Sequence, residues 1–214
     1  MKGLIYKDFV LLRKQLSTYL VFLIVYGGFC IAGVFPISIL VALVAVIGLT
    51  VPLSSVATDD AIRWDRYAVS TPVSRRGIVA GKYLFAVLII LLSSVVTLAL
   101  MLALLATGLA DAPLEEVAFS IPACALLTLL LNAVTLPFLL KYGAEKARAV
   151  SMVLFVSIFG GSVLVGGLAS RGVALPQPPD WLLLSGPVLL AALSVAAYLI
   201  SFAVSLGIYE RKEF

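Results

Sequence analysis

Reading the 214-residue chain for side chains that could do chemistry begins with a gap, because it contains no histidine. Ser-His and Cys-His nucleophile pairs, histidine-bearing zinc sites and histidine proton relays are therefore excluded. The two cysteines, Cys30 and Cys124, both lie in apolar runs, which suits inert packed thiols rather than a disulfide framework. Gly77-x-x-x-Gly81-Lys82-Tyr83 has the outline of a phosphate loop but fails on chemistry. Its glycines are one residue too close, and Tyr83 stands where a magnesium-binding hydroxyl of Ser or Thr belongs. The densest set of interacting groups is the stretch Thr58 to Lys82, where Trp64 and Tyr67 lie among Arg63, Asp65 and Arg66. Aromatic residues beside arginine make a partner-docking hot spot. The same pair also suits anchors at a bilayer surface, and composition alone leaves both readings open.

The elements that must carry this loop are apolar. The chain is 63% hydrophobic and 12% charged, about half the charge that a soluble domain needs to cover its surface. Charge-free runs extend from Lys14 to Asp59 and over Tyr83–Ala110, Val117–Leu140, Ala149–Ser170 and Trp181–Tyr209. About 20 apolar residues cross a bilayer as helix, so the first run holds two spans, turning near Gly33 and Pro36. The expected fold is an all-α integral membrane protein, a single transmembrane domain over 1–214. Its six spans fall at about 17–34, 37–57, 83–107, 117–140, 149–170 and 183–207.

Six spans put all but Arg171 of the 15 basic residues on one side. The positive-inside rule then places both ends, the 58–82 loop and the 141–148 loop in the cytoplasm. The net charge of +4 reflects that retention rather than a nucleic-acid surface. Pro36, Pro122 and Pro187 are expected in the first turns of even-numbered spans, and Pro52 and Pro137 near inner ends. Ile5, Phe9, Leu12 and Leu16 recur at helical spacing, so 2–16 reads as an amphipathic helix in the inner headgroup layer. No signal-peptide cleavage pattern follows it, and Phe29 before Cys30 spoils a lipoprotein site, so the segment stays on the protein.

In the loop, a short helix is expected from Asp59 to Ser70, broken by Pro72, then a second capped by Ser74. The spans hold no charged residue, so the bundle has no evident means of coupling to an ion gradient, and energy must enter through a cytoplasmic partner. Asn132 reads as glue between helices. Ser162, Gly166 and Ser170, and Gly28 with Ala32, form small-residue stripes that suit either subunit contact or internal packing.

Four stretches carry a family likeness: Lys7-Asp8 through Arg13-Lys14, Asp59-Asp60 with Arg63-Trp64-Asp65-Arg66-Tyr67, Thr71-Pro72-Val73-Ser74-Arg75 leading to Lys82-Tyr83, and the tail Tyr209 to Phe214. Together they resemble the short type-2 ABC transporter permeases of bacterial cytoplasmic membranes. One branch of these exports amphipathic peptides such as phenol-soluble modulins, and related members serve in antimicrobial-peptide immunity. The resemblance implies a multi-pass dimer, like or unlike, docked on two separately encoded ABC ATPase subunits that bind ATP and magnesium. This chain would hold no cofactor and do no catalysis. Its loop between spans 2 and 3 would be the coupling helix, with Arg63, Trp64, Asp65, Arg66 and Tyr67 contacting the ATPase and the 141–148 loop assisting. The first and fifth spans would form the dimer contact. A non-transporting assembly or immunity factor is the rival reading.

Overall fold

The structure is a computed structural model that describes residues 2–62, 64, 74–108, 113–170 and 180–211. Every regular element among them is a helix: α1 (Lys2–Leu11), α2 (Arg13–Ile31), α3 (Ile39–Ala61), α4 (Arg75–Ala106), α5 (Leu114–Tyr142), α6 (Ala144–Phe155), α7 (Gly161–Ser170) and α8 (Asp180–Glu210). Five of these, α2, α3, α4, α5 and α8, are long and apolar enough to cross a bilayer.

The fifth expected span, 149–170, is not a single α-helix. It is α6, a wide π-helical turn over Val156–Gly160, and α7, joined without a break. The glycine pair Gly160–Gly161 closes the wide turn with no Cβ to crowd it, and Phe155 and Phe159 stack across it at 4.4 Å between centroids. Among the described residues five helices are long and apolar enough to span without interruption, and the expected span at 149–170 is this composite rod.

Other boundaries also move. The N-terminal helix ends at Leu11, since Leu12 (φ −96°, ψ 8°) breaks the path, and Arg13 already opens α2. The face of α1 that carries Ile5 and Phe9 packs on protein. Phe9 packs edge-on against Phe85 at 5.3 Å, and Leu4 lies over Gly81. Pro122 and Pro187 sit well inside α5 and α8 rather than in first turns, because both helices start earlier than the charge-free runs suggested. The turn after α2 forms as expected. Gly33 takes φ +70°, with Val34 N–H bonding to Phe29 O and Gly33 N–H to Cys30 O, the double bond pattern that closes a helix with a left-handed residue.

α3 is the central helix, the most buried of the five long helices, whereas α2 and α8 are largely exposed. It packs on α4 and α5, and α5 pairs extensively with α8. Close approach of α3 to α5 depends on Gly48: a Cβ there would stand 2.7 Å from Thr128 Cγ2. Beside it Asn132 Nδ2–H donates to Gly48 O at 2.9 Å, so the buried amide does join two helices. The end of α3, the start of α4 and the ends of α5 and α8 share one apolar cluster that includes Val56, Val79, Leu139 and Tyr209. The end of α3, the start of α4, the α5–α6 junction and the last turn of α8 thus gather at one end of the bundle, with α1 beside them.

Candidate functional site

At that end, four charged side chains meet where α1, α3 and α4 converge. Lys82 Nζ lies 3.0 Å from Asp8 Oδ1, 3.1 Å from Asp8 Oδ2, and 2.6 Å from both Asp59 Oδ2 and Ser55 Oγ. Lys7 Nζ lies 2.6 Å from Asp59 Oδ1 and 3.4 Å from Asp8 Oδ1. Asp8, Asp59 and Lys82 are only 2%, 4% and 8% exposed. Two cations and two carboxylates balance, which is what permits them to be buried. An ion taken from water into packed protein costs several kcal/mol, and only close partners offset that cost.

Local structure explains how the four arrive. Lys7 and Asp8 are adjacent on α1; Lys7 takes Asp59 and Asp8 takes Lys82, while their own charged ends stay 3.4 Å apart. Asp59 ends α3, one helical turn beyond Ser55. Lys82 lies two turns into α4, whose start is set by Ser74, with its Oγ accepting from Gly77 N–H at 3.1 Å. Ser74 is the N-cap that the sequence suggested.

Trp64, just past the end of α3, completes the arrangement. The Lys7 ammonium sits 4.3 Å from the centre of its ring, and the half-buried indole packs on the apolar cluster beneath. A cation desolvated over an indole face is held by about 2 kcal/mol. Trp64 therefore faces α1 and the core, while Arg63, Asp65, Arg66 and Tyr67, and with them most of the expected coupling helix, lie outside the described residues. A second bracket binds the start of α4 to the end of α8. Arg75 Nη1–H donates to Glu210 O at 2.6 Å, and Arg76 Nε lies 3.3 Å from Glu210 Oε1.

The small-residue stripes separate. Gly28 and Ala32 are exposed, with nothing within 4 Å of a Cβ at Gly28, whereas neighbouring Gly27 packs on Leu100. Ser162, Gly166 and Ser170 lie on α7, and their side-chain surroundings fall outside the described residues. Among the described residues no group of three Asp, Glu or Cys side chains is placed to hold a metal, and the two buried carboxylates are taken up by lysines.

The family model of ABC-2 family transporter proteins matches residues 3–210, nearly the whole chain. The chain belongs to the ABC-2 transporter family. No curated protein and no solved structure matches it. As an ABC-2 membrane subunit it is a multi-pass permease component of an ABC transporter, and in that family an ABC ATPase supplies the work.

The four-charge cluster thus brackets the segment between α3 and α4, at the root of the loop expected to meet that ATPase. Sequence reasoning quoted Lys7, Asp8, Asp59 and Lys82 only as parts of a pattern and did not pair them. The available signal was charge balance: two acids and two lysines, with Asp59 and Lys82 at the edges of charge-free runs and Lys7 and Asp8 in the helix before them.

Proposed function

We propose that the chain is the six-span, N-in and C-in membrane subunit of an ATP-driven exporter of amphipathic peptides in a bacterial cell membrane. In this reading it pairs with a second permease, like or unlike, and the composite α6–π–α7 rod is the fifth of the six spans. The carrying observation is the buried cluster of Lys7, Asp8, Asp59 and Lys82. It fastens α1 to both ends of the loop on which the ATPase would push. When nucleotide binding displaces that loop, α3, α4 and α1 move as one body, since parting any of them exposes an unpaired charge in a dry setting. ATP and magnesium belong to the ATPase. Arg63, Trp64, Asp65, Arg66 and Tyr67 lie on the contact segment, and Lys7 holds Trp64 in place.

An amphipathic cargo is supported by the groove between α2, α3 and α4. This cleft of about 170 Å³ has walls that include Leu20, Leu23, Ile47, Ile89 and Val96. Behind Tyr19, which lines the cleft, α2 and α3 are joined by polar pairs: Gln15 Nε2–H donates to Ser54 Oγ at 2.9 Å and Tyr19 Oη lies 2.7 Å from Thr50 Oγ1. Such an apolar lining matches the apolar face of an amphipathic chain.

The test uses the permease reconstituted in vesicles with its ATPase and a fluorescent amphipathic helical peptide. Lys7→Met is expected to leave insertion and ATPase binding intact while lowering peptide-stimulated hydrolysis and export by about tenfold, the scale of a typical coupling between sites. Unchanged export by Lys7→Met would refute the transmission role. Orientation is read separately in a Cys30→Ala/Cys124→Ala background. A membrane-impermeant thiol reagent applied from outside should label Thr107→Cys and spare Arg148→Cys.

A further inference from the structure

We propose that the cleft between the loop-side ends of α5 and α8 binds one anionic phospholipid, an inference that rests on the membrane orientation proposed above. The cleft measures about 470 Å³ and is lined by Leu140, Lys141, Val204, Gly207, Ile208 and Arg211. Its walls are apolar and its rim carries two cations. Four other basic groups at this end hold partners, Lys7 and Lys82 on carboxylates and Arg75 and Arg76 on Glu210, while Arg13, Lys14 and Arg148 make no ion pair among the described residues but do not line this cleft. Lys141 and Arg211 are exposed and make no ion pair among the described residues. Lys141 rests instead against the Tyr142 ring at 5.0 Å, with Lys146 at 5.9 Å from the same ring.

The direction of the cleft selects the occupant. Val204 is half exposed and lies two helical turns before Arg211 on α8, about 10 Å deeper along the axis. A headgroup phosphate held by Lys141 and Arg211 would leave its acyl chain running down the groove past Gly207 to Val204. Basic pockets between spanning helices on the cytoplasmic side hold acidic headgroups in this manner. A docked protein would spread across the rim and have no use for the depth. A free phosphate would leave the apolar walls uncovered, and a zwitterionic lipid gives the two cations no net counter-charge.

The test is native mass spectrometry of the purified chain in detergent, titrated with phosphatidylglycerol or phosphatidylcholine. Wild type is expected to retain one phosphatidylglycerol at concentrations where phosphatidylcholine does not bind. Lys141→Gln/Arg211→Gln should weaken that retention by about tenfold or more. Gly207→Leu keeps every charge, meets nothing within 4 Å of its Cβ, and fills the groove. It should weaken retention as well, whereas Arg13→Gln/Lys14→Gln should not.

Equal retention of the two lipids would overturn the proposal, as would wild-type retention by Gly207→Leu or an equal loss in the Arg13/Lys14 control. Displacement of the lipid by glycerol phosphate as effectively as by phosphatidylglycerol would make it a phosphate site. Loss of ATPase co-purification in Lys141→Gln/Arg211→Gln with lipid retention intact would make it a protein contact. None of the lipid measurements requires ATP or peptide, so their outcome is independent of the export test.

Discussion

At the scale of single residues, the buried charges set the sharpest expectations. Lys82→Met strips the ammonium from Asp8 and leaves a carboxylate without compensation, a change that costs about 3–5 kcal/mol in buried pairs. Thermal unfolding in detergent should show this as a large drop in midpoint. Asp8→Asn combined with Lys82→Met removes one charge of each sign and retains the Lys7–Asp59 contact at 2.6 Å, so most of the loss should return. If the double variant is as unstable as the two single losses added together, the pair does not act as a pair. Asn132→Leu forfeits the bond to Gly48 O and should cost about 1 kcal/mol, the usual worth of an interhelical bond in a membrane bundle.

Among elements, the α3–α5 crossing and the π-helical turn decide the architecture. Gly48→Ala would drive a methyl to 2.7 Å from Thr128 Cγ2. Thr128 cannot rotate freely, since its hydroxyl is bonded to Cys124 O at 2.7 Å. Overpacking of this kind costs about 1–3 kcal/mol. Gly28→Ala, which meets nothing on α2, should leave the unfolding midpoint of the separated subunit unchanged or slightly raised. The same pair of variants distinguishes a packing glycine from a surface one without reference to activity. Periodicity places both residues in apolar helices and cannot tell them apart, because a stripe of small residues reads the same whether it faces a neighbour or the outside.

For the whole molecule, the loop end is where stability and function meet. Trp64→Ala removes the ring that covers Lys7; the chain should still insert, while ATP hydrolysis by the partner proceeds without export. Normal transport by that variant would contradict the coupling role. A bulky residue at Gly166 on α7 should weaken association of two permeases, read by crosslinking yield. Unchanged yield and activity in Gly166→Leu would exclude that face.

Hydropathy and charge placement were sufficient to establish an all-helical, multi-pass membrane protein. Those properties are summed over many residues and survive small shifts of boundary. The π-helical turn at Val156–Gly160, the inward face of Trp64 and the meeting of Lys7, Asp8, Asp59 and Lys82 came only with the tertiary structure. Contact between residues as distant as Asp8 and Lys82 depends on which helices become neighbours, and linear order carries no such information. A charge at the margin of an apolar run looks the same on paper whether it ends in water or against an opposite charge; only packing decides between them.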